Sequence, residues 1–188
     1  MATRKDEPIN VRTSLLTTTL LLVGVVAVGL PRSEATQPPQ TIPPSLRLEH
    51  QEIIRQITAL AEQPAPVGPE ARRLLDLVKP HLQRNEEVML PPLSLLPLVA
   101  KGKVTSDMKW ALPLIDRAKA GQEQNLQEQQ QITLQLNALA AAGDQANDAL
   151  ALKAAQTIAG DLLAEEELTQ PTVAMLGDYL RAKLPVGS

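Results

Sequence analysis

Apolar residues recur at spacings of three and four through most of residues 45–184, the period of a helix with one buried face. Leu46, His50, Ile53, Ile57 and Leu60 share one stripe, which predicts helix A from a plausible N-cap at Ser45 to about Gln63 and turns His50 inward. Helix B is expected from about Pro69 to beyond Glu87, with Leu74, Val78, His81, Asn85 and Val88 on its inner face and Pro80 kinking it just before His81. Residues 90–103 hold three prolines and a glycine among apolar residues, the composition of a short, partly helical crossover. Helix C is expected from about Ser106, its stripe of Ala111, Ile115, Ala118, Ile132, Leu136 and Leu139 interrupted by Gln122, Asn125 and Gln129. Helix D comes after Gly143 and Asp144, with Ala154, Ile158, Asp161, Glu165 and Leu168 facing inward until Pro171 breaks the pattern. A last amphipathic piece carries Val173, Leu176 and Leu180.

The N-terminal pattern is different. Residues 13–30 carry no charge, come after Arg4, Lys5 and Arg12, and end at Pro31 and Arg32. As a helix this run would rise about 27 Å, close to the thickness of a bilayer core. Its threonines and glycines, and the small residues Ser33 and Ala35 around Glu34, equally suit a signal peptide cleaved after Ala35. A buried helix of the globular domain is the plainer alternative. The basic flank places the C-terminal domain outside the cytoplasm, periplasmic, secreted or anchored to the inner membrane. Residues 31–44 contain five prolines and read as an extended tether. The expected organisation is therefore a signal peptide or membrane anchor at 1–30, a proline-rich linker at 31–44 and one domain at 45–188.

Composition sharpens the fold class and removes several functions. Of 188 residues, 44% are apolar, there is no Phe, and Trp110 and Tyr179 are the aromatic residues, so helices rather than strands are expected. A net charge of -3, with cations scattered and no aromatics interleaved, offers no nucleic-acid platform. With no cysteine there is no thiolate ligand, thiol nucleophile or disulfide. No glycine-rich phosphate loop or serine nucleophile pairing is visible, so an enzyme is not implied.

The two halves repeat. Residues 48–61 match residues 127–140, pairing Glu49 with Glu128 and His50 with Gln129, and residues 81–91 match residues 161–171, pairing His81 with Asp161, Glu86 with Glu166 and Pro91 with Pro171. The repeat predicts two related helical hairpins, an up-down antiparallel arrangement of four helices. Every helix also places a polar residue on its inner stripe, which must find a partner or cost about 1–3 kcal/mol. His50, His81, Asn85, Glu86, Gln129, Asp161, Glu165 and Glu166 would converge on one level, where carboxylates and imidazoles suit a first-row metal. Buried histidines hydrogen-bonded across helices are the metal-free alternative.

This order, Glu49-His50, His81 before Glu86-Glu87 and a proline, Glu128-Gln129, then Asp161 before Glu165-Glu166-Glu167 and a proline, resembles the bacterial hemerythrin-like HHE cation-binding domain over about residues 45–184. The crossover looks like that of exported members. The resemblance implies a four-helix bundle holding a non-heme di-iron centre through histidines and two bridging carboxylates. His50 and His81 match ligands of helices A and B, and Glu166 matches one bridging acid. Asn85 stands in place of the other, and Gln129 and Asp161 stand in place of histidines. The metal candidates are thus His50, His81, Glu86, Asp161, Glu165 and Glu166. They imply one iron or other divalent metal, mononuclear and weakly held on His50 and His81, or none. The protein then acts in binding or sensing, or else as a metal-free structural or protein-interaction module with the membrane as its N-terminal partner.

Overall fold

The computed structural model describes residues 41–184, so the apolar run at 13–30 and most of the proline-rich stretch lie outside the described residues. Every regular element among the described residues is helical. α1 spans Pro44–Ala61, starting one residue before the expected cap. Pro44 lies in the first turn, where its missing N–H has no helical partner to lose, and the Pro43 carbonyl takes up the amides of Leu46 and Arg47. Ser45 is therefore a first-turn residue, not the N-cap.

α2 spans Val67–Arg84 and stays α-helical through the exposed Pro80. The departure comes further on, in a π turn at Asn85–Met89 that closes with the Leu90 N–H on the Asn85 carbonyl. The short α3, Leu90–Leu93, continues from it and carries Pro91 and Pro92. A proline ring crowds the carbonyl four residues earlier and cannot donate to it. Here those carbonyls belong to Glu87 and Val88, both inside the wider π turn, which relieves the crowding. The crossover contains α4, Leu96–Val99, and a 3-10 turn at Ser106–Trp110.

The expected single helix C is two: α5, Ala111–Ala120, and α6, Gln122–Ala146, meet at Gly121. α6 runs past Gly143 and Asp144, where the sequence pattern predicts a turn. The reversal lies instead at Asn147, whose backbone is left-handed (φ 53°), and at Asp148, whose carboxylate caps α7, Ala149–Ala164, by accepting from Leu150 N and Ala151 N at 2.9 and 3.1 Å. Gly143 is required there for another reason. A Cβ on it would stand 2.9 Å from the Ala151 Cβ. Beyond α7 a second π turn, Glu165–Thr169, leads into α8, Gln170–Lys183. Pro171 comes just after this turn, as Pro91 comes just after the first.

α1 packs on α2, α2 on α6, α6 on α7, and α7 returns to α1. Ile53, Ile57, Leu74, Val78, Ile132, Leu139 and Ile158 fill the space between these four. A second apolar cluster joins α3, α5 and α8 through Leu90, Leu93, Ala111, Ile115, Val173, Leu176 and Leu180. Ile42, within the stretch read as tether, is buried in it. Each fully buried side chain of this size contributes roughly 1.5–3 kcal/mol of transfer free energy. Among the described residues no helix is long and apolar enough to cross a membrane.

Candidate functional site

Polar residues lie between the two apolar clusters: His50 on α1, Asn85 and Glu86 in the first π turn, Asn125, Glu128 and Gln129 on α6, Asp161 on α7 and Glu165 at the start of the second π turn. The sequence predicts that His50, His81, Asn85, Glu86, Gln129, Asp161, Glu165 and Glu166 converge on one level, and the structure brings part of that set together.

Glu165 is the hub. Its Oε2 accepts from Asn85 Nδ2 at 2.8 Å and lies 3.0 Å from His81 Nε2, while its Oε1 accepts from Asn125 Nδ2 at 2.9 Å. Because an ionised carboxylate only accepts, His81 is assigned its proton on Nε2. The buried position would raise the Glu165 pKa, but hydrogen bonds from His81, Asn125 and Asn85, with the charge on His81, carry it below the ordinary value. His81 is itself almost wholly buried, and its Nδ1 has no hydrogen-bond partner. Glu128 Oε2 stands 3.6 Å from that nitrogen, beyond hydrogen-bond reach, and is held by the Arg84 guanidinium.

A second imidazole–carboxylate pair lies beside the first. His50 Nδ1 is 2.9 Å from Glu86 Oε1. Near it, Asp161 has its pKa raised by burial and by the neighbouring Glu49 carboxylate, against a smaller opposing pull from His50. The repeat is thereby realised in space: Glu128 flanks His81 as Glu49 flanks Asp161.

His50, His81, Asp161 and Glu165 line one cavity of about 120 Å³ together with Glu49 and Asn85. Glu86 reaches this group through His50. Glu166 does not: it is exposed and lines a different cleft, between α5, α6 and the second π turn, with Gln129. No protein-family model, curated protein or solved structure matches this chain. The site must be judged on its own donors.

A di-iron centre does not fit these residues. The chain has two histidines, and Asn85 and Gln129 offer neutral amides where such a centre needs a carboxylate and an imidazole. Among the described residues, no group of three or more His, Asp or Glu is arranged to hold one metal ion. Each imidazole instead pairs with a carboxylate through one ring nitrogen, His50 with Glu86 and His81 with Glu165.

Asn125 is the member of this hydrogen-bonded group that sequence reasoning passed over. It was visible as a polar break in the helix C stripe, one helical turn before Gln129, but an amide matches no metal ligand. Its role, donating to a buried carboxylate, emerges only once α6 and α7 are paired.

Proposed function

We propose that residues 45–184 form a hemerythrin-like up-down four-helix bundle in which the level of the family's metal centre is a metal-free hydrogen-bonded core, and that the protein is a binding or interaction module, not an enzyme. The ring of contacts α1–α2–α6–α7 supports the bundle. The carriage of Glu165 by His81, Asn85 and Asn125 supports the metal-free core, because three donors on one buried carboxylate leave it little capacity for a cation. The uncharged run at 13–30 after a basic start supports export, with either a cleaved signal or an inner-membrane anchor, and so a bundle in the periplasm or outside the cell.

The test is anaerobic loading of the purified protein with ferrous iron, then metal analysis per chain. Iron well below one per chain is expected. Two irons per chain, with an oxo-bridge absorption band that develops once the loaded protein is exposed to air, would overturn the proposal. One observation favours a second reading: the two histidines, Asp161 and Glu165 share a cavity. One iron per chain that disappears in His81→Ala would select a weak mononuclear site and a metal-dependent binding or sensing role.

A further inference from the structure

Charge is unevenly shared between the two ends of the helical domain. The turns at 62–66 and 144–148, at the end away from the crossover, carry Glu62, Asp144 and Asp148 and no cation. At the opposite end, residues 96–110 of the crossover hold Lys101, Lys103 and Lys109 against one acid, Asp107, a local net charge of +2 in a chain of net charge -3. All three lysines are exposed. The salt bridges of the described residues engage Arg55, Arg73, Arg84, Arg181 and the two histidines, and none of these lysines. Directly before them stands α4, whose four residues are all apolar and none of which is buried. Leu96 and Val99 lean on the second apolar cluster, while Leu98 is 42% exposed and Pro97 is exposed beside it.

We propose that this crossover end docks on an anionic lipid surface, with Pro97 and Leu98 entering the headgroup boundary and Lys101, Lys103 and Lys109 meeting lipid phosphates. An apolar turn bordered by lysines suits such a boundary, because hydrocarbon and cation gain from different depths of the same lipid layer. The acidic turns at the other end would be repelled by it. The inference rests on the anchored form of the export reading, and the tether argues for this occupant. Ile42 is buried in the same cluster as Leu93 and Leu95, so the chain joins the domain at the end that carries the lysines. Residues 31–41 separate Leu30, the last of the uncharged run, from Ile42, a stretch that spans at most about 40 Å. The 25-residue α6 alone is about 37 Å long. Bringing the acidic turns to the bilayer would use nearly the whole tether, whereas the crossover end reaches it with slack.

Because the chain has no cysteine, one introduced cysteine marks one place. The full-length protein is labelled with a fluorophore through Ala100→Cys, beside Leu98, or through Ala141→Cys, toward the acidic turns on α6; both positions are exposed. Each is reconstituted into phosphatidylcholine vesicles with and without phosphatidylglycerol, all containing a lipid whose headgroup carries a nitroxide quencher. Strong quenching at position 100 is expected with phosphatidylglycerol, falling in pure phosphatidylcholine and at raised salt, with little quenching at position 141. Lys101→Ala and Lys103→Ala should each lower the ratio of docked to undocked domain roughly fivefold. Leu98→Ser should lower it too, and circular dichroism checks that these surface changes leave the helices intact. A chain that fails to float with either kind of vesicle refutes the anchor and the proposal together. A chain that floats refutes the proposal alone, leaving the anchor standing, if the two positions are quenched equally, if quenching at 100 ignores phosphatidylglycerol, or if the lysine substitutions change nothing.

Discussion

Asn85 Nδ2 donates to Glu165 Oε2 at 2.8 Å across 80 residues of chain, and each of these two residues opens a π turn. They are therefore equivalent positions of the internal repeat, meeting where its two halves face one another. A π turn shifts side-chain register, and such turns are concentrated at functional positions. Here both serve to aim polar side chains at the layer between the apolar clusters while letting Pro91 and Pro171 continue the helices.

Glu165 should govern acid stability. Its folded pKa lies below the ordinary 4.5, so its contribution is fully present above that value and is lost as pH falls through the folded pKa. Glu165→Gln is expected to lower stability at neutral pH by about 1–3 kcal/mol and to flatten the acid limb of a denaturation-midpoint-versus-pH curve. An unchanged acid limb would show that the network does not hold this carboxylate ionised.

Asp161 should act with the opposite sign. Burial and the Glu49 charge raise its folded pKa above 3.8, so its contribution is greatest below the unfolded value and is lost as pH rises through the folded one. Asp161→Asn removes the repulsion between Asp161 and Glu49. A small gain at pH 7, held to at most about 0.5 kcal/mol by solvent screening of this partly exposed pair, is expected, vanishing in acid, with urea denaturation at both pH values as the check.

The tight turn between α1 and α2 gives a packing prediction. A Cβ on Gly68 would lie 1.9 Å from the Gln63 carbonyl oxygen, a backbone atom that cannot rotate away. Gly68→Ala should cost about 3 kcal/mol or more, whereas Gly160→Ala, where a Cβ meets nothing, should be neutral or stabilising by up to about 1 kcal/mol. Thermal denaturation of the two variants side by side separates a steric effect from a general intolerance of substitution.

The N-terminal proposal is checked by fractionation and N-terminal sequencing. Recovery outside the cytoplasm is expected, and a mature chain beginning at Thr36 would select cleavage over an anchor. Recovery of the full-length chain as a soluble cytoplasmic protein would refute export.

Helical class and the inward placement of His50, His81 and Asn85 were legible because period and residue type agree along each stripe. The breaks were not. Pro80 is a stronger local signal than Asn85, yet α2 passes through the exposed proline and widens at the asparagine, because relief is needed where Pro91 and Pro92 come next within a buried segment. Gly143 read as a turn residue, but its lack of a Cβ serves the contact with Ala151, and the turn belongs to Asn147 and Asp148. Partner choice was the least legible. Glu165 and Glu166 are adjacent and chemically identical, and the π turn sends the first to His81 and the second to the Gln129 cleft.

A core cut in two by a polar layer has two places from which to come apart. The cluster among α1, α2, α6 and α7 is built from two hairpins of neighbouring helices. The one around α3, α5 and α8 brings Ile42 together with Leu180 and Leu184 and closes only when the two ends of the described chain meet. Local opening should therefore begin at α5 and α8, with their amide hydrogens exchanging ahead of those in α2 and α6. In that partly open state the hairpins persist, and the Gln129 amide and the Glu165 hub both become wet before the protein has unfolded.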